Sequence, residues 1–210
     1  MRAAPDSLRP TVIGILRGIT PERVAATAET LLAAGIQAIE IPLNSPDPFR
    51  SIELLARSFG DRCLCGAGTV LTPDDVRRVH DSGGRLVVSP DTEPEVISAS
   101  LALNMTVMPG FASATEALAA FRRGAHLLKL YPAGTYGPRH LQALRAVLPP
   151  DVRVYPVGNI AIEQVPEWLA AGAAGFGFGS DLFKPAYGLP EIAARARRIA
   201  AAVERAMQKP

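Results

Sequence analysis

An alternation of two kinds of segment repeats along most of this chain. Short apolar runs rich in valine, isoleucine and leucine are each followed by a longer amphipathic segment, which often ends at glycine. The short runs are typical of strands buried on both faces of a parallel sheet, and the longer segments are typical of the helices that cover it. The eight apolar runs span residues 11–16, 38–43, 63–70, 86–89, 106–108, 126–131, 153–157 and 175–179.

Residues that start and stop helices agree with this division. Thr20 and Thr72 each precede a proline, as expected of an N-cap followed by the first helical turn, and Ser113 with Glu116 fits a capping box. A glycine suited to a left-handed cap follows four of the segments, at Gly35, Gly83, Gly124 and Gly172. The predicted helices span residues 21–34, 47–59, 73–81, 94–103, 114–123, 138–148, 162–171 and 190–207.

The number of strand–helix units predicts the fold class. Eight units in one chain predict an α/β protein formed as a single (β/α)8 TIM barrel with eight parallel strands, one domain over residues 1–210. A doubly wound open sheet also fits the alternation. The barrel is favoured because the count is eight and because no Gly-x-Gly-x-x-Gly fingerprint opens the first helix.

Composition and charge exclude several classes of function. The net charge is +2 and aromatic residues make up 6% of the chain, so neither a basic nucleic-acid-binding face nor a set of base-stacking rings is expected. No window approaches the roughly 18 consecutive apolar residues of a membrane helix. We therefore expect no nucleic-acid partner and no membrane partner.

The chain ends and the cysteines favour a cytoplasmic protein. Residues 1–10 are polar and lack the apolar core of a signal peptide, and residues 191–209 have the helical spacing of a docked terminal helix. Cys63 and Cys65 stand two residues apart in an apolar run. They would point to the same face of a strand, which suits small buried residues better than a disulfide or a zinc site.

A lysine inside an apolar run is the sharpest candidate for chemistry. Functional groups in a parallel barrel gather at the carboxyl ends of the strands, and Lys129 lies between Leu128 and Leu130 in the run 126–131. Burial would lower the pKa of this lysine and leave a neutral amine that can attack a ketone. The alternative is a lysine whose ammonium group extends past the strand end into water.

Two further charged residues stand in or after the first two runs. Glu40 alternates with Ile39 and Ile41, so its carboxyl is a candidate general acid–base, with a structural ion pair as the alternative. Arg17 ends the first run, where a guanidinium can hold a carboxylate bidentately and can help keep Lys129 neutral. A solvated strand end is the alternative for Arg17.

The remaining candidates suit the binding of substrate oxygens. Thr69 follows three small residues, which would leave space for its hydroxyl to contact a substrate, although a β-branched strand residue or a helix cap fits as well. Gly158 and Asn159 follow the seventh run, and Gly179 and Ser180 end the eighth. Backbone N–H groups at these two positions of a barrel often bind phosphate, so a phosphorylated substrate is expected, with tight turns as the alternative.

No metal or cofactor is expected from the sequence. His80, His126 and His140 are scattered along the chain without the spacing of metal ligands or of a catalytic triad. Each is interpreted as a structural or surface histidine.

Together these motifs resemble the 2-keto-3-deoxy-6-phosphogluconate (KDPG)/2-keto-3-deoxy-6-phosphogalactonate aldolase family over residues 13–182. The resemblance implies a metal-free (β/α)8 class I aldolase, typically a homotrimer, that releases pyruvate from a 2-keto-3-deoxy acid. It implies Lys129 as the Schiff-base lysine, Glu40 as the proton carrier, and Arg17 with Thr69 as ligands of the pyruvyl carboxylate. The motifs that carry it are ILRGITP (15–21), EIPLNSP (40–46), GAGTVL (66–71), LKLYP (128–132), VG (157–158) and GSD (179–181).

The same resemblance implies a phosphate site and shows one departure. Gly158, Gly179 and Ser180 correspond to the phosphate ligands of the family. Asn159 stands where the family often has a second glycine. Its side chain could crowd the phosphate or donate a hydrogen bond to it, so it is a further candidate for substrate binding.

The segment after Glu40 distinguishes the branches of the family. Its sequence IPLNSP is similar to the phosphogalactonate branch, and Asn44 stands where the phosphogluconate branch has an arginine. We expect reversible cleavage of 2-dehydro-3-deoxy-6-phosphogalactonate to pyruvate and D-glyceraldehyde 3-phosphate. The alternatives within the family are 2-dehydro-3-deoxy-6-phosphogluconate and 4-hydroxy-2-oxoglutarate (KHG). Outside it, a phosphosugar isomerase or epimerase and a non-catalytic barrel that binds a phosphorylated metabolite remain open.

Overall fold

Short strands alternate with helices throughout residues 11–208, the part of the chain that the computed structural model describes. The strands assigned within this range are β1 (Val12–Ile15), β2 (Ala38–Pro42), β3 (Leu64–Gly68), β4 (Leu86–Val88), β5 (Thr106–Met108), β6 (Gly110–Phe111), β7 (Leu127–Leu130), β8 (Arg153–Pro156) and β9 (Phe176–Phe178).

Helices follow most of the strands. They are α1 (Pro21–Ala33), α2 (Pro48–Phe59), α3 (Pro73–Asp81), α4 (Pro94–Ala102), α5 (Ala114–Arg122), α6 (Ala133–Tyr136), α7 (Pro138–Arg145), α8 (Val165–Ala170) and α9 (Leu189–Met207). A 3-10 turn at Ile162–Gln164 precedes α8, where the sequence predicted one continuous helix over 162–171. The short helix α6 was not predicted.

The α/β class is confirmed, but the predicted closed (β/α)8 TIM barrel of eight strands is wrong. Among the described residues the strands form two parallel sheets, one of six strands in the order β5-β4-β3-β2-β1-β9 and one of three in the order β6-β7-β8. Only isolated bridges, Val154 with Ala173 and Val157 with Gly177, join β8 to the segment that contains β9.

Strand pairing is interrupted at two places between the sheets, and each interruption has a local cause. Pairing of β4 with β5 stops at Met108, and the next residue, Pro109, has no N–H to donate to a ladder. Gly110 resumes as β6 but pairs with β7 instead. At the other interruption, Gly158 and Asn159 turn the chain after β8 with φ values of 95° and 53°, left-handed conformations that end a strand.

Most helix caps follow the sequence prediction. The hydroxyl of Thr72 accepts from the N–H of Asp75, and Ser113 with Glu116 forms the predicted capping box. Thr20 is the N-cap of α1, but its side chain makes no capping hydrogen bond. The predicted left-handed glycines all have positive φ: Gly35, Gly83, Gly124 and Gly172.

The core has two parts that differ in composition. The larger cluster packs the helices against the outward-facing strand residues. The smaller cluster consists of strand residues that alternate with them, including Ala38, Leu64 and Tyr155. Since successive side chains of a strand point to opposite faces, the residues that alternate with Leu128 and Leu130 in β7 point to the smaller cluster.

The C-terminal helix α9 is docked, as predicted. Its buried face consists of Ile192, Ala196, Ile199 and Val203, at the spacing of one helical stripe. Within residues 11–208, no helix is long and apolar enough to cross a bilayer. The predicted polar start at residues 1–10 lies outside the described residues.

Candidate active site

Lys129 is a buried amine in the middle of a strand. Its side chain is 6% exposed, and Leu128 and Leu130 on either side are fully buried on the opposite face of β7. Burial lowers the pKa of Lys129, and the nearby guanidinium of Arg17 lowers it further, while Glu40 and Asp91 act in the opposite direction. A lysine held in this way has a larger fraction of neutral amine than one in water.

Glu40 is the second buried titratable group of the site. It lies in β2 between the fully buried Ile39 and Ile41, is 2% exposed, and its Oε2 has no hydrogen-bond partner among the described residues. Burial raises the pKa of Glu40 to about 7, against the opposing effect of the charges on Lys129 and Arg17. A carboxyl with this pKa can both accept and release a proton near neutral pH.

Lys129 and Glu40 influence each other without forming a salt bridge. Each contributes to the electrostatic shift of the other, yet no salt bridge between them is present, and both lie within the described residues. The amine and the carboxyl therefore interact electrostatically without a direct ion pair. This arrangement allows proton transfer to and from a group attached to the amine.

Thr69 has a backbone conformation that is uncommon for its residue type. It follows β3 directly with φ of 57°, in the left-handed region that β-branched residues rarely adopt. Such conformations persist where the surrounding structure enforces them, often at functional sites. Gly68 precedes it and lies opposite Pro42 of β2, where a Cβ would overlap the carboxylate of Glu40. The small residues before Thr69 predicted space at this position, and the carboxylate of Glu40 occupies it.

Arg17 is held by the loop that follows β2. Its Nη1 donates to Oδ1 of Asn44 at 2.6 Å, and the neighbouring N–H of Gly18 donates to Oγ of Ser45 at 2.9 Å. Asn44, where the resemblance implies a difference between the two branches, is therefore a direct partner of Arg17. Sequence reasoning could not find this pair, because the two residues are 27 positions apart and meet only through the pairing of β1 with β2.

A cavity of about 420 Å³ opens at the carboxyl ends of β1, β8 and β9. It brings together five of the predicted site residues, which are Arg17, Gly158, Asn159, Gly179 and Ser180. Tyr131 also lines the cavity, and the centroid of its ring lies 4.8 Å from Nζ of Lys129. The ring of Tyr131 packs on Gly158, where an added Cβ would lie 3.2 Å from it.

Tyr131 and Lys184 line the cavity but were not predicted as site residues. Tyr131 belongs to the motif LKLYP, and its ring lies close to both the buried amine and the glycine turn after β8. Lys184 lies in the loop between β9 and α9, outside any periodic pattern. Its only sequence signal is a basic residue shortly after the predicted phosphate-binding glycine.

The other predicted site residues, Lys129, Glu40 and Thr69, are not among the residues that line this cavity. The two cysteines also lie outside the lining. Burial is the main cause that raises the pKa of Cys63 to about 12 and that of Cys65 to about 11, and both are buried as predicted.

The three histidines contact residues that do not line the cavity. His126 lies 2.9 Å from Asp151, His80 lies 3.3 Å from Asp81, and His140 contacts the carbonyl of Ala112. Within residues 11–208, no group of three or more histidine, cysteine, aspartate or glutamate residues could hold a metal ion.

Comparison with known proteins identifies the class. Residues 8–188 match the aldolase family described as KDPG and KHG aldolase. The chain is 42% identical over 197 residues, 94% of its length, to 2-dehydro-3-deoxy-6-phosphogalactonate aldolase of Escherichia coli K12, of which it covers 96%. The fold and these similarities define an aldolase, a carbon–carbon lyase. The chain belongs to the KDPG and KHG aldolase family.

Two solved structures are similar to the chain. One, described as native KDPGal, has a TM-score of 0.93 at 42% identity and covers 94% of this chain, with 96% of its own chain matched. The other is KDPG aldolase from Legionella pneumophila with pyruvate captured at low pH as a covalent carbinolamine intermediate. It has a TM-score of 0.80 at 29% identity, over 94% of both chains.

Proposed function

We propose that this protein is a class I Schiff-base aldolase. It reversibly cleaves 2-dehydro-3-deoxy-6-phosphogalactonate to pyruvate and D-glyceraldehyde 3-phosphate. The observation that carries the proposal is the buried amine of Lys129, which shares its surroundings with the buried carboxyl of Glu40 beside a cavity large enough for a sugar acid. The carbinolamine captured in the Legionella pneumophila relative requires a protein amine, and Lys129 is the buried amine at this site.

The first step forms a covalent bond at C2 of the substrate. Neutral Lys129 attacks the C2 ketone, and Glu40 carries protons as the carbinolamine forms and loses water. The product is a cationic iminium. Burial of Lys129 favours this step because it increases the neutral fraction of the amine, and only the neutral amine is a nucleophile.

The second step breaks the C3–C4 bond. Glu40, through a water molecule, takes the proton of the C4 hydroxyl, and the electron pair of the bond moves to the iminium and forms an enamine. D-glyceraldehyde 3-phosphate leaves. The enamine is then protonated at C3, and water releases pyruvate and restores the free amine, so the water lost earlier is regained.

The remaining candidates bind the two anionic ends of the substrate. We propose that Arg17 and Thr69 bind the carboxylate next to the ketone, since a guanidinium can accept a carboxylate bidentately. At the other end, phosphate is bound by the group Gly158, Asn159, Gly179 and Ser180. Support comes from the cavity, which these four residues share with Arg17.

The choice of the galactonate substrate rests on similarity and on Asn44. The Escherichia coli relative named for this substrate is 42% identical, whereas the Legionella pneumophila KDPG aldolase is 29% identical. Asn44 accepts from Arg17 at 2.6 Å, whereas the resemblance implies an arginine at this position in the phosphogluconate branch. The phosphogluconate isomer and 4-hydroxy-2-oxoglutarate are the alternative substrates, since pockets separate such close analogues modestly.

We further propose that the chain acts as one domain without metal or cofactor, in the cytoplasm and as a homotrimer. The trimer rests on the family resemblance, and the exposed apolar side chains of Leu71 and Tyr136 suit burial between subunits. The compartment rests on the substrates, because phosphorylated sugar acids cross bilayers poorly. Light scattering after gel filtration measures the assembly, and a mass of one chain would contradict the trimer.

Trapping the Schiff base tests the central claim. We expect pyruvate with sodium borohydride to leave a reduced adduct on Lys129, located by peptide mass spectrometry, and Lys129→Ala to lose both the adduct and turnover. Lys184→Ala is the matched control, since it removes another lysine at the same cavity and should keep the adduct. No adduct on folded protein, or activity that survives Lys129→Ala, would overturn the proposal and favour an isomerase or a binding protein.

A further inference from the structure

The loop between β9 and α9 places a cation, Lys184, in the lining of the cavity. Lys184 lines the cavity together with Gly179 and Ser180, and Arg17 lines it on the side of β1. Asp181 is the remaining charged residue of the lining, and its backbone carbonyl accepts from the guanidinium of Arg195 at 3.1 Å. The cavity therefore offers two cations to a substrate that is anionic at both ends.

The loop that carries Lys184 is fixed by an arginine of α1. The guanidinium of Arg23 donates to the carbonyl of Pro185 and, at 2.6 Å, to the carbonyl of Tyr187. Its carbon also lies 5.7 Å from the centroid of the Phe183 ring. Two backbone bonds from one rigid fork hold this loop against the start of α1, which fixes the backbone on both sides of Lys184.

Lys184 itself has no ionic partner. Its Nζ lies 5.6 Å from the centroid of the Tyr187 ring, and no salt bridge involves it in the part of the chain that the structure describes. By contrast, Arg195 and Arg198 nearby are both paired with glutamates. An unpaired, exposed ammonium group on a fixed loop is available to an incoming anion.

We propose that Lys184 is a specificity-determining residue that binds the phosphate of the substrate, with Arg23 as a positioning residue for its loop. The inference rests on the proposed aldolase function and adds a residue to its phosphate end. Backbone N–H groups orient a phosphate, whereas a lysine supplies a full opposing charge to a group of charge near −2. Lys184 thereby favours phosphorylated over unphosphorylated substrates.

Steady-state kinetics with paired substrates test Lys184. We expect Lys184→Met to raise KM for the 6-phosphorylated substrate about tenfold, which is the lower end of the effect expected for loss of a hydrogen bond to a charged group. We expect kcat to stay within about twofold of the wild-type value. KM for the unphosphorylated acid should not change. The effect should shrink as salt increases, since exposed charges are screened. Lys184→Arg should retain most of the affinity.

Two further variants complete the kinetic test. Arg122→Met removes the same charge from an exposed position on α5, and we expect both substrates to keep their KM values. Arg23→Met should raise KM for the phosphorylated substrate in the same direction as Lys184→Met, with the unphosphorylated acid unaffected. If Lys184→Met changes KM equally for both substrates, or for neither, the inference is overturned.

Direct binding separates this inference from the aldolase proposal. We expect calorimetric titration with glycerol 3-phosphate to give a Kd about tenfold weaker for Lys184→Met than for the wild type, and pyruvate trapping on Lys129 to be unchanged. If trapping fails but the Kd still depends on Lys184, the phosphate site stands and the aldolase mechanism falls. If trapping succeeds and the Kd is indifferent to Lys184, the phosphate role of Lys184 is wrong.

Discussion

The carboxylate of Glu40 occupies the space that a side chain at Gly68 would need. An ideal Cβ built on Gly68 would overlap both carboxylate oxygens, and β2 and β3 pair with Pro42 opposite Gly68. The depth of Glu40 in the sheet therefore depends on glycine at the end of the neighbouring strand. The next residue, Thr69, has φ of 57°, so the backbone turns sharply at the point where it passes the carboxylate.

Gly68→Ala should displace Glu40 and slow catalysis. The added methyl group must push the carboxylate aside, so we expect kcat to fall by about 100-fold, the scale set by a positioned acid–base group. Gly188→Ala is the control, because a Cβ there would meet only Pro190, at an ordinary 3.7 Å. Initial rates together with circular dichroism measure the effect, and a folded Gly68→Ala variant with near wild-type kcat would contradict it.

Glu40→Gln should lose the proton carrier and retain the shape of the site. We expect kcat to fall by roughly 10²–10⁴-fold, the usual contribution of general acid–base catalysis, with the Schiff base formed more slowly but on the same lysine. Rates of borohydride trapping and of turnover measure the two parts. Glu95→Gln, an exposed change in α4, serves as the control. A loss smaller than tenfold would assign Glu40 a structural role.

Burial of Glu40 should also make stability depend on pH. Its folded pKa of about 7 lies above the ordinary value of 4.5, so the folded state binds this proton more tightly than the unfolded state. The resulting stability is fully present below pH 4.5 and is lost as pH rises through about 7. Glutamine does not titrate, so Glu40→Gln should gain stability over its parent across this window.

The size of this gain is bounded by the pKa shift. It amounts to roughly 3 kcal/mol at most, since one unit of pKa corresponds to about 1.4 kcal/mol. Urea unfolding near pH 5 and near pH 8 measures it. The comparison is between the wild type and Glu40→Gln with Lys129 kept in both, because the charge on Lys129 lowers the pKa of Glu40 and its removal would raise that pKa further. If Glu40→Gln and its parent differ in the free energy of unfolding by the same amount at both pH values, the claim that burial raises the pKa of Glu40 is wrong.

Alternation along single strands allowed both buried titratable groups to be found from the sequence. Lys129 and Glu40 each interrupt a run in which every neighbour is apolar, and a period of two then places each on the face opposite its neighbours. The same local reasoning gave the helix caps at Thr72 and Ser113. Signals of this kind depend only on residues a few positions apart.

Features that depend on tertiary contacts could not be predicted in this way. The count of eight runs suggested a closed barrel, but Pro109 ends the pairing of β5 and the following residues pair with β7 as a separate short strand. Lys184 lies in an irregular loop, so no periodicity marked it, and the hydrogen bonds from Arg23 that help to fix this loop come from a distant part of the chain. The overlap between Gly68 and Glu40 required the register of two strands.

The bond between Arg17 and Asn44 predicts an effect on binding that is separate from catalysis. Oδ1 of Asn44 accepts from Nη1 of Arg17 at 2.6 Å, and both side chains are exposed. Without this acceptor the guanidinium samples more rotamers in the free protein. Binding of a carboxylate must then also order this side chain, which lowers the affinity. We therefore expect Asn44→Ala to raise KM about threefold to tenfold and to leave kcat nearly unchanged.

Borohydride trapping tests the same point with pyruvate alone. The pyruvate concentration that gives half-maximal trapping should increase in Asn44→Ala by the same factor as KM, because pyruvate retains the carboxylate that Arg17 is proposed to bind. Thr30→Ala is the control, since it removes an exposed side-chain hydrogen bond within α1 that lies outside the cavity lining. An unchanged half-maximal concentration would mean that Asn44 does not orient Arg17 for binding. If KM for the phosphorylated substrate increases and the half-maximal pyruvate concentration does not, Asn44 affects the phosphate end of the site and not the carboxylate end.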